Sequence, residues 1–175
     1  EQCLVTGVQG EELVLVECIR RFIEECPGKE EQERAIRCIV TFVKENTNTP
    51  IRAEVVDQCC KAAGTPDITH ALIPLCYYAM YNEYAPFDLV CFVNGIPKVI
   101  EVKSTSGHSR QFSISQREVA FACKLGSNYE LARVVDGKIL FMGNPFPQLA
   151  DKLVEIGSEK FSIRAKGYLF ELKNK

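Results

Sequence analysis

The sequence has few of the features that mark membrane-spanning, zinc-binding or strongly basic proteins. No run approaches the roughly 20 apolar residues that cross a bilayer, so we expect no membrane partner. Only 2 histidines occur, and the 9 cysteines include no CxxC pair, which argues against a tetrahedral zinc site. Because 21 Lys and Arg oppose 23 Asp and Glu, the net charge of −2 does not by itself indicate a nucleic-acid partner.

What the sequence does contain is typical of a folded intracellular domain. Of the 175 residues, 46% are hydrophobic and 25% charged, enough to bury a core within one domain. The odd number of cysteines, several of them in apolar periodic stretches, predicts reduced and mostly buried thiols, as in the cytoplasm or nucleus. The chain begins at Glu1 without a signal-peptide pattern, so we expect it to be a piece of a larger protein with further domains.

Apolar residues at helical spacing predict three helices early in the chain, at about 10–26, 30–45 and 49–64. Signals conflict in the section 65–85, where Thr65-Pro66 can open a helix, Pro74 should break it, and a short aromatic helix follows near Tyr78. The later predicted elements are strands 87–93, 96–104 and 112–114, helix 115–125, strands 129–135 and 138–142, helix 148–156, and strands 160–165 and 168–173. This order predicts a single α+β domain with a mixed central sheet.

Asn94-Gly95 separates two strand-like runs and is typical of a two-residue hairpin turn. With these residues in the turn, Asp88 faces Glu101 in a non-hydrogen-bonded pair. Lys103 lies two residues beyond Glu101 and therefore shares its face of the strand. Two facing carboxylates repel unless a cation offsets their charge, and Mg²⁺ favours sites of one or two carboxylates. The alternative is an exposed strand face with scattered charges.

The same residues carry a resemblance to known nucleases. Pro86-Phe87-Asp88, followed by Ile100-Glu101-Val102-Lys103, resembles the signature of the PD-(D/E)XK superfamily. Over about residues 7–145 the chain is similar to one branch, the NO VEIN C-terminal family. The matching stretches, in family order, are Gly7-Val-Gln-Gly10-Glu11, Phe87-Asp88, residues 100–105, Phe112-Ser-Ile-Ser115 with Glu118, and Tyr129-Glu-Leu-Ala-Arg133-Val134. Residues 30–85 lack this similarity and are predicted to be a variable helical section of one domain that spans residues 1–175.

The resemblance implies a restriction-endonuclease-like fold, with three layers (α/β/α) built around the mixed sheet. It implies a nuclease that hydrolyses phosphodiester bonds with Mg²⁺, for which Mn²⁺ can substitute. The implied metal ligands are Asp88, Glu101, the backbone carbonyl of Val102, and Glu11. Lys103 would position or activate the attacking water and offset the charge that develops on the phosphate. The implied partner is nucleic acid, DNA rather than RNA, and a homodimer is an open alternative to a monomer.

Further polar residues surround this set. A loop after the motif strand either contacts substrate phosphate or is an ordinary connection, and its polar residues are Ser104, Thr105, His108 and Arg110. Gln116 lies near a helix start where some nucleases of the superfamily use a glutamine, or it is simply exposed. Glu118 forms a capping box with Ser115, and Glu11 also suits the start of a helix.

The sequence leaves a second function open, a catalytically inactive module of the same fold. Such a module would bind nucleic acid or a protein partner. The intact set of Asp88, Glu101 and Lys103 favours the enzyme, whereas the negative net charge and the helix-start explanation for Glu11 favour the inactive module. Ala85, shortly before Asp88, also departs from the family pattern, because relatives often carry a glycine there.

Overall fold

The computed structural model describes residues 2–80, 82, 84–105, 111–146, 153–156, 159–164 and 169–172. Side chains are described within 9–80, 82, 84–105 and 111–146. The chain divides into two compact units, one of residues 12–100 and the other of residues 1–11 with 101–175. In the described part, no helix is long and apolar enough to span a membrane.

The unit of residues 12–100 is mainly helical. It contains most of α1 (Gln2–Glu25), then α2 (Lys29–Asn46), α3 (Ala53–Ala62), α4 (Ile68–Cys76) and the 3₁₀ turn Tyr78–Met80. The core is built from apolar residues at helical spacing, since Phe22, Ile36, Ile39, Val43 and Leu72 are all 0% exposed. The three helices predicted for 10–64 are therefore confirmed, although α1 begins earlier and α3 later than the sequence indicated.

Helix α4 corrects one prediction, because Pro74 does not break it. The helix runs from Ile68 to Cys76 with Pro74 inside it, two residues before its end. A proline there removes only a bond in the last turn of a short helix. Leu72 and Leu75 on either side are 0% exposed, and their burial offsets that loss.

The first hairpin has the predicted register. Strand β1 (Leu89–Val93) pairs antiparallel with β2 (Ile96–Thr105), from Val93 opposite Ile96 to Leu89 opposite Ile100. Asn94 and Gly95 between the strands have φ of 55° and 77°. Positive φ at both central positions is the requirement of a type I′ turn, which an Asn-Gly pair meets at low cost.

The unit that includes residues 101–175 contains the second half of β2. Beside β2 in the sheet order lies β4 (Tyr129–Val135), which pairs antiparallel with β5 (Lys138–Phe141) through the predicted Asp136-Gly137 turn. Helix α5 (Gln116–Leu125) lies between β3 (Gln111–Ser113) and β4 in the chain, and its predicted capping box is present. These elements, with those of the other unit, confirm a mixed α+β composition.

A second sheet has the strand order β3-β8-β7-β6. Its last three strands are β6 (Leu153–Ile156), β7 (Glu159–Arg164) and β8 (Leu169–Leu172). The predicted final hairpin is confirmed as β7 paired with β8. The predicted helix 148–156 is wrong for residues 153–156, which pair with β7 as a strand, while 148–152 lie outside the described residues.

The cysteines are free thiols wherever the structure describes them, which agrees with the predicted absence of disulfides. Five are buried, namely Cys18, Cys26, Cys59, Cys76 and Cys91, whereas Cys123 is exposed. Burial raises the pKa of the Cys59 thiol to about 12 and that of Cys76 well above its usual range. The thiols of Cys59 and Cys76 are therefore unreactive packing groups at neutral pH.

Candidate functional site

Asp88 lies just before strand β1 and is half-buried. Its backbone N–H donates to the Ile100 carbonyl at 3.0 Å, and its carbonyl accepts from the N–H of Ala79 at 2.9 Å. Leu89 already pairs with Ile100 in the ladder, so the consecutive residues Asp88 and Leu89 both lie opposite Ile100. This is the arrangement of a β-bulge, a feature that redirects a side chain and is common beside active sites.

The bulge corrects the predicted geometry of Asp88. In a non-hydrogen-bonded pair its amide would point away from strand β2, whereas here the amide donates to that strand. The regular ladder accordingly begins at Leu89 and not at Phe87. The register of β1 is as predicted, but the backbone at Asp88 is turned relative to it.

Glu101 and Lys103 project from one face of β2, as their spacing predicts. The Lys103 Nζ donates to Glu101 Oε1 at 2.5 Å. Glu101 is only 4% exposed, which is rare for a carboxylate unless it is paired. The strand therefore holds a buried carboxylate next to its own counter-charge.

Glu118 joins this pair from helix α5. Its Oε2 accepts from the Ser115 backbone N–H at 2.5 Å, and the Ser115 hydroxyl accepts from the Glu118 N–H at 3.2 Å, which completes the capping box. The other carboxylate oxygen, Oε1, accepts from Lys103 Nζ at 3.1 Å. Lys103 thus links a strand to a helix start, a contact that the sequence analysis missed when it assigned Glu118 to the cap alone. A sequence signal for this contact was present, because Glu118 belongs to one of the stretches that resemble the family.

The electrostatics of the Lys103 cluster keep the lysine charged. Burial alone would lower the pKa of Lys103, but the charge of Glu101, the hydrogen bond to it, and Glu118 outweigh burial, so the pKa is raised. Burial raises the pKa of Glu118, but the hydrogen bond with Glu101, the charge of Lys103 and the Ser115 N–H together lower it. At neutral pH Lys103 is therefore an ammonium group, able to donate hydrogen bonds and supply positive charge.

Helix α1 meets the end of β2 at Gly10, which is buried. A Cβ at this glycine would lie 2.5 Å from the Ser104 Cβ and 2.7 Å from its Oγ, so any side chain there would force the neighbouring atoms to shift. The next residue, Glu11, is half-buried. Consecutive Cα atoms are about 3.8 Å apart, so the backbone of Glu11 lies close to the end of the motif strand.

The remaining predicted site residues are placed as follows. Val102 is buried on the strand face opposite to Glu101, and Ser104 and Thr105 are half-buried at the end of β2. Gln116 is exposed at the first residue of α5. His108 and Arg110 lie outside the described residues. In the part of the chain that the structure describes, no group of three His, Cys, Asp or Glu side chains is arranged to hold a metal ion.

A comparison with protein families supports the resemblance read from the sequence. The family model of Protein NO VEIN, C-terminal, matches residues 78–140, somewhat more than a third of the chain. The match includes Asp88, Glu101, Lys103 and Glu118, and it begins at Tyr78, inside the section that the sequence analysis assigned to a variable region. No curated protein matches the chain.

Proposed function

We propose that this chain is a metal-dependent nuclease domain of the PD-(D/E)XK superfamily that hydrolyses phosphodiester bonds, in DNA rather than RNA. The observation that carries the proposal is the Lys103 ammonium 2.5 Å from the buried carboxylate of Glu101. Burying a carboxylate and an ammonium on one strand face costs folding free energy unless the two groups are fully paired, so such groups are often retained for a function. With this function we propose the three-layer restriction-endonuclease-like arrangement.

The donor set fits Mg²⁺ by its chemistry. Carboxylate and carbonyl oxygens are hard ligands, and Mg²⁺ binds through one or two carboxylates while keeping several waters. We assign Asp88, Glu101, the Val102 carbonyl and Glu11 as the residues that would hold the ion, with Mn²⁺ as a substitute. A cation so held supplies Lewis-acid polarisation of the phosphate and a more acidic bound water.

Other residues of the chain orient the water, offset charge and contact the substrate. Lys103, held as an ammonium, orients the water by donating a hydrogen bond and offsets negative charge that develops on the phosphate. We assign contact with substrate phosphate to Ser104 and Thr105, at the end of the same strand, and we assign His108, Arg110 and Gln116 to the same surface from their place in the sequence.

A second function is favoured by a specific observation, the full pairing of Lys103. Its ammonium is held between Glu101 and Glu118, and such a network also serves as a purely structural link between a strand and a helix. In that case the domain binds nucleic acid or a protein partner without cleaving it.

Cleavage of supercoiled plasmid and of single-stranded DNA, with Mg²⁺ or Mn²⁺, separates the two functions. We expect metal-dependent cleavage by the wild type and loss of about a hundredfold in rate or more in Lys103→Ala. Asp57→Asn is the matched control, because Asp57 forms only an exposed i,i+4 pair with Lys61, and it should cleave as the wild type does. DNA binding without cleavage under any metal condition would instead establish the inactive module.

A further inference from the structure

The backbone of Asp88 is held from two sides. Its N–H donates to Ile100 of strand β2, and its carbonyl accepts from the N–H of Ala79 in the 3₁₀ turn Tyr78–Met80. Both main-chain polar groups of Asp88 are therefore used. The direction in which its carboxylate leaves the backbone depends on where this turn lies.

Tyr78 fixes the position of the turn. Its ring is 0% exposed and stacks on the ring of Phe87, with centroids 4.8 Å apart and 20° between the planes. Phe87 is the residue immediately before Asp88 and is itself 1% exposed. One aromatic pair thus connects the turn to the peptide unit that precedes Asp88.

The hydroxyl of Tyr78 anchors the same ring to helix α2. It donates to the Thr49 carbonyl at 2.5 Å, lies 3.1 Å from Thr47 Oγ1, and accepts from Asn82 Nδ2 at 3.2 Å. Thr47 caps α2, since its N–H and its hydroxyl both donate to the carbonyl of Val43, at 2.9 and 2.8 Å. The chain of contacts therefore runs from the half-buried C-terminal end of α2, through Tyr78, to Asp88.

We infer that Tyr78 is a positioning residue for Asp88, acting through the Phe87 stack and the Ala79 amide. The inference rests on the proposed function in one respect, the assignment of Asp88 as a metal ligand. Ligating carboxylates require supporting contacts to keep their geometry, and loss of such a contact commonly weakens metal affinity 10–100-fold, in order of magnitude. Tyr78 supplies this support from outside the strand that carries Asp88.

Tyr78→Phe is the informative variant, because it keeps the stacked ring and removes only the hydroxyl. Tyr84→Phe is its control, since Tyr84 is 70% exposed. Amide hydrogen exchange, followed by NMR in metal-free protein, should accelerate on the order of tenfold at Ala79 and Asp88 in Tyr78→Phe. Amides of the α2 core, such as Ile39, should keep wild-type rates, and Tyr84→Phe should match the wild type throughout.

Calorimetric titration with Mn²⁺ supplies the second readout. Tyr78→Phe should raise the dissociation constant roughly tenfold and leave the cleavage rate at saturating Mn²⁺ within about threefold of wild type. Equal acceleration of exchange at Ile39, or unchanged exchange at Ala79 and Asp88, would overturn the positioning role. A wild-type protein that binds no Mn²⁺ would overturn the proposed function instead, and the exchange rates would still decide whether Tyr78 positions Asp88.

Discussion

Replacing Lys103 with methionine tests the ion network on which the candidate site depends. Methionine keeps the length of the stem but removes the ammonium that contacts Glu101 at 2.5 Å and Glu118 at 3.1 Å. The side chains of Glu101 and Glu118 are 6% and 18% exposed, so both carboxylates would lose their counter-charge in a poorly solvated place. Removing one partner of a buried ion pair costs about 3–5 kcal/mol.

Because Lys103 and Glu118 are partly exposed, we expect the free energy of unfolding to fall by an amount near the lower end of this range, about 3 kcal/mol. For a chain of this size that loss lowers the melting temperature by roughly 6–12 °C. Urea unfolding followed by circular dichroism at pH 7 measures it directly. Repeating the measurement at a pH below the lowered pKa of Glu118 should give a smaller loss, because that carboxylate is then protonated.

Lys61→Met is the matched control. Lys61 forms an exposed i,i+4 pair with Asp57, at 2.6 Å, and such pairs contribute about 0.3–0.5 kcal/mol. The reasoning is refuted if Lys103→Met costs no more than Lys61→Met at pH 7, because the lysine would then be a surface residue with no buried carboxylate to neutralise.

Three further predictions concern other parts of the chain. The pKa of Glu118 is lowered from 4.5 in the fold, so the stabilisation by its carboxylate is present above pH 4.5 and is lost as pH falls through the folded-state pKa. Glu118→Gln should therefore flatten the acid side of the curve of unfolding free energy against pH, measured by urea unfolding. An unchanged acid side would contradict this prediction. Gly10→Ala should destabilise by about 1–3 kcal/mol in thermal melts despite the better helix propensity of alanine, and Ser104→Gly should recover most of the loss if the contact is the cause. Alkylation followed by mass spectrometry should modify the exposed Cys123 before the buried Cys59 and Cys76, and equal rates would contradict the burial of those two thiols.

The hairpin register could be predicted from the sequence because its causes are local. Asn94 and Gly95 tolerate positive φ, and a two-residue turn leaves one pairing of the flanking strands. The helix start at Ser115 was predicted for the same reason, since a capping box is complete within four residues.

The features that could not be predicted depend on distant partners. The Asp88 carbonyl at the bulge accepts from the distant Ala79 amide, and the contact of Glu118 with Lys103 joins residues 15 apart on different elements. Residues 153–156 form a short apolar run that fits either a helix or a strand, and the pairing with β7 decides between them. Pro74 remained inside a helix because buried neighbours outweighed a local preference.

The central proposal is that Asp88 and Glu101 hold one divalent cation. Calorimetric titration of the wild type, Asp88→Asn and Glu101→Gln with Mn²⁺ tests it most directly. We expect one site in the wild type, and a dissociation constant raised at least about tenfold in each variant. The claim is contradicted if the wild type binds no Mn²⁺, or if both variants bind it as tightly as the wild type does.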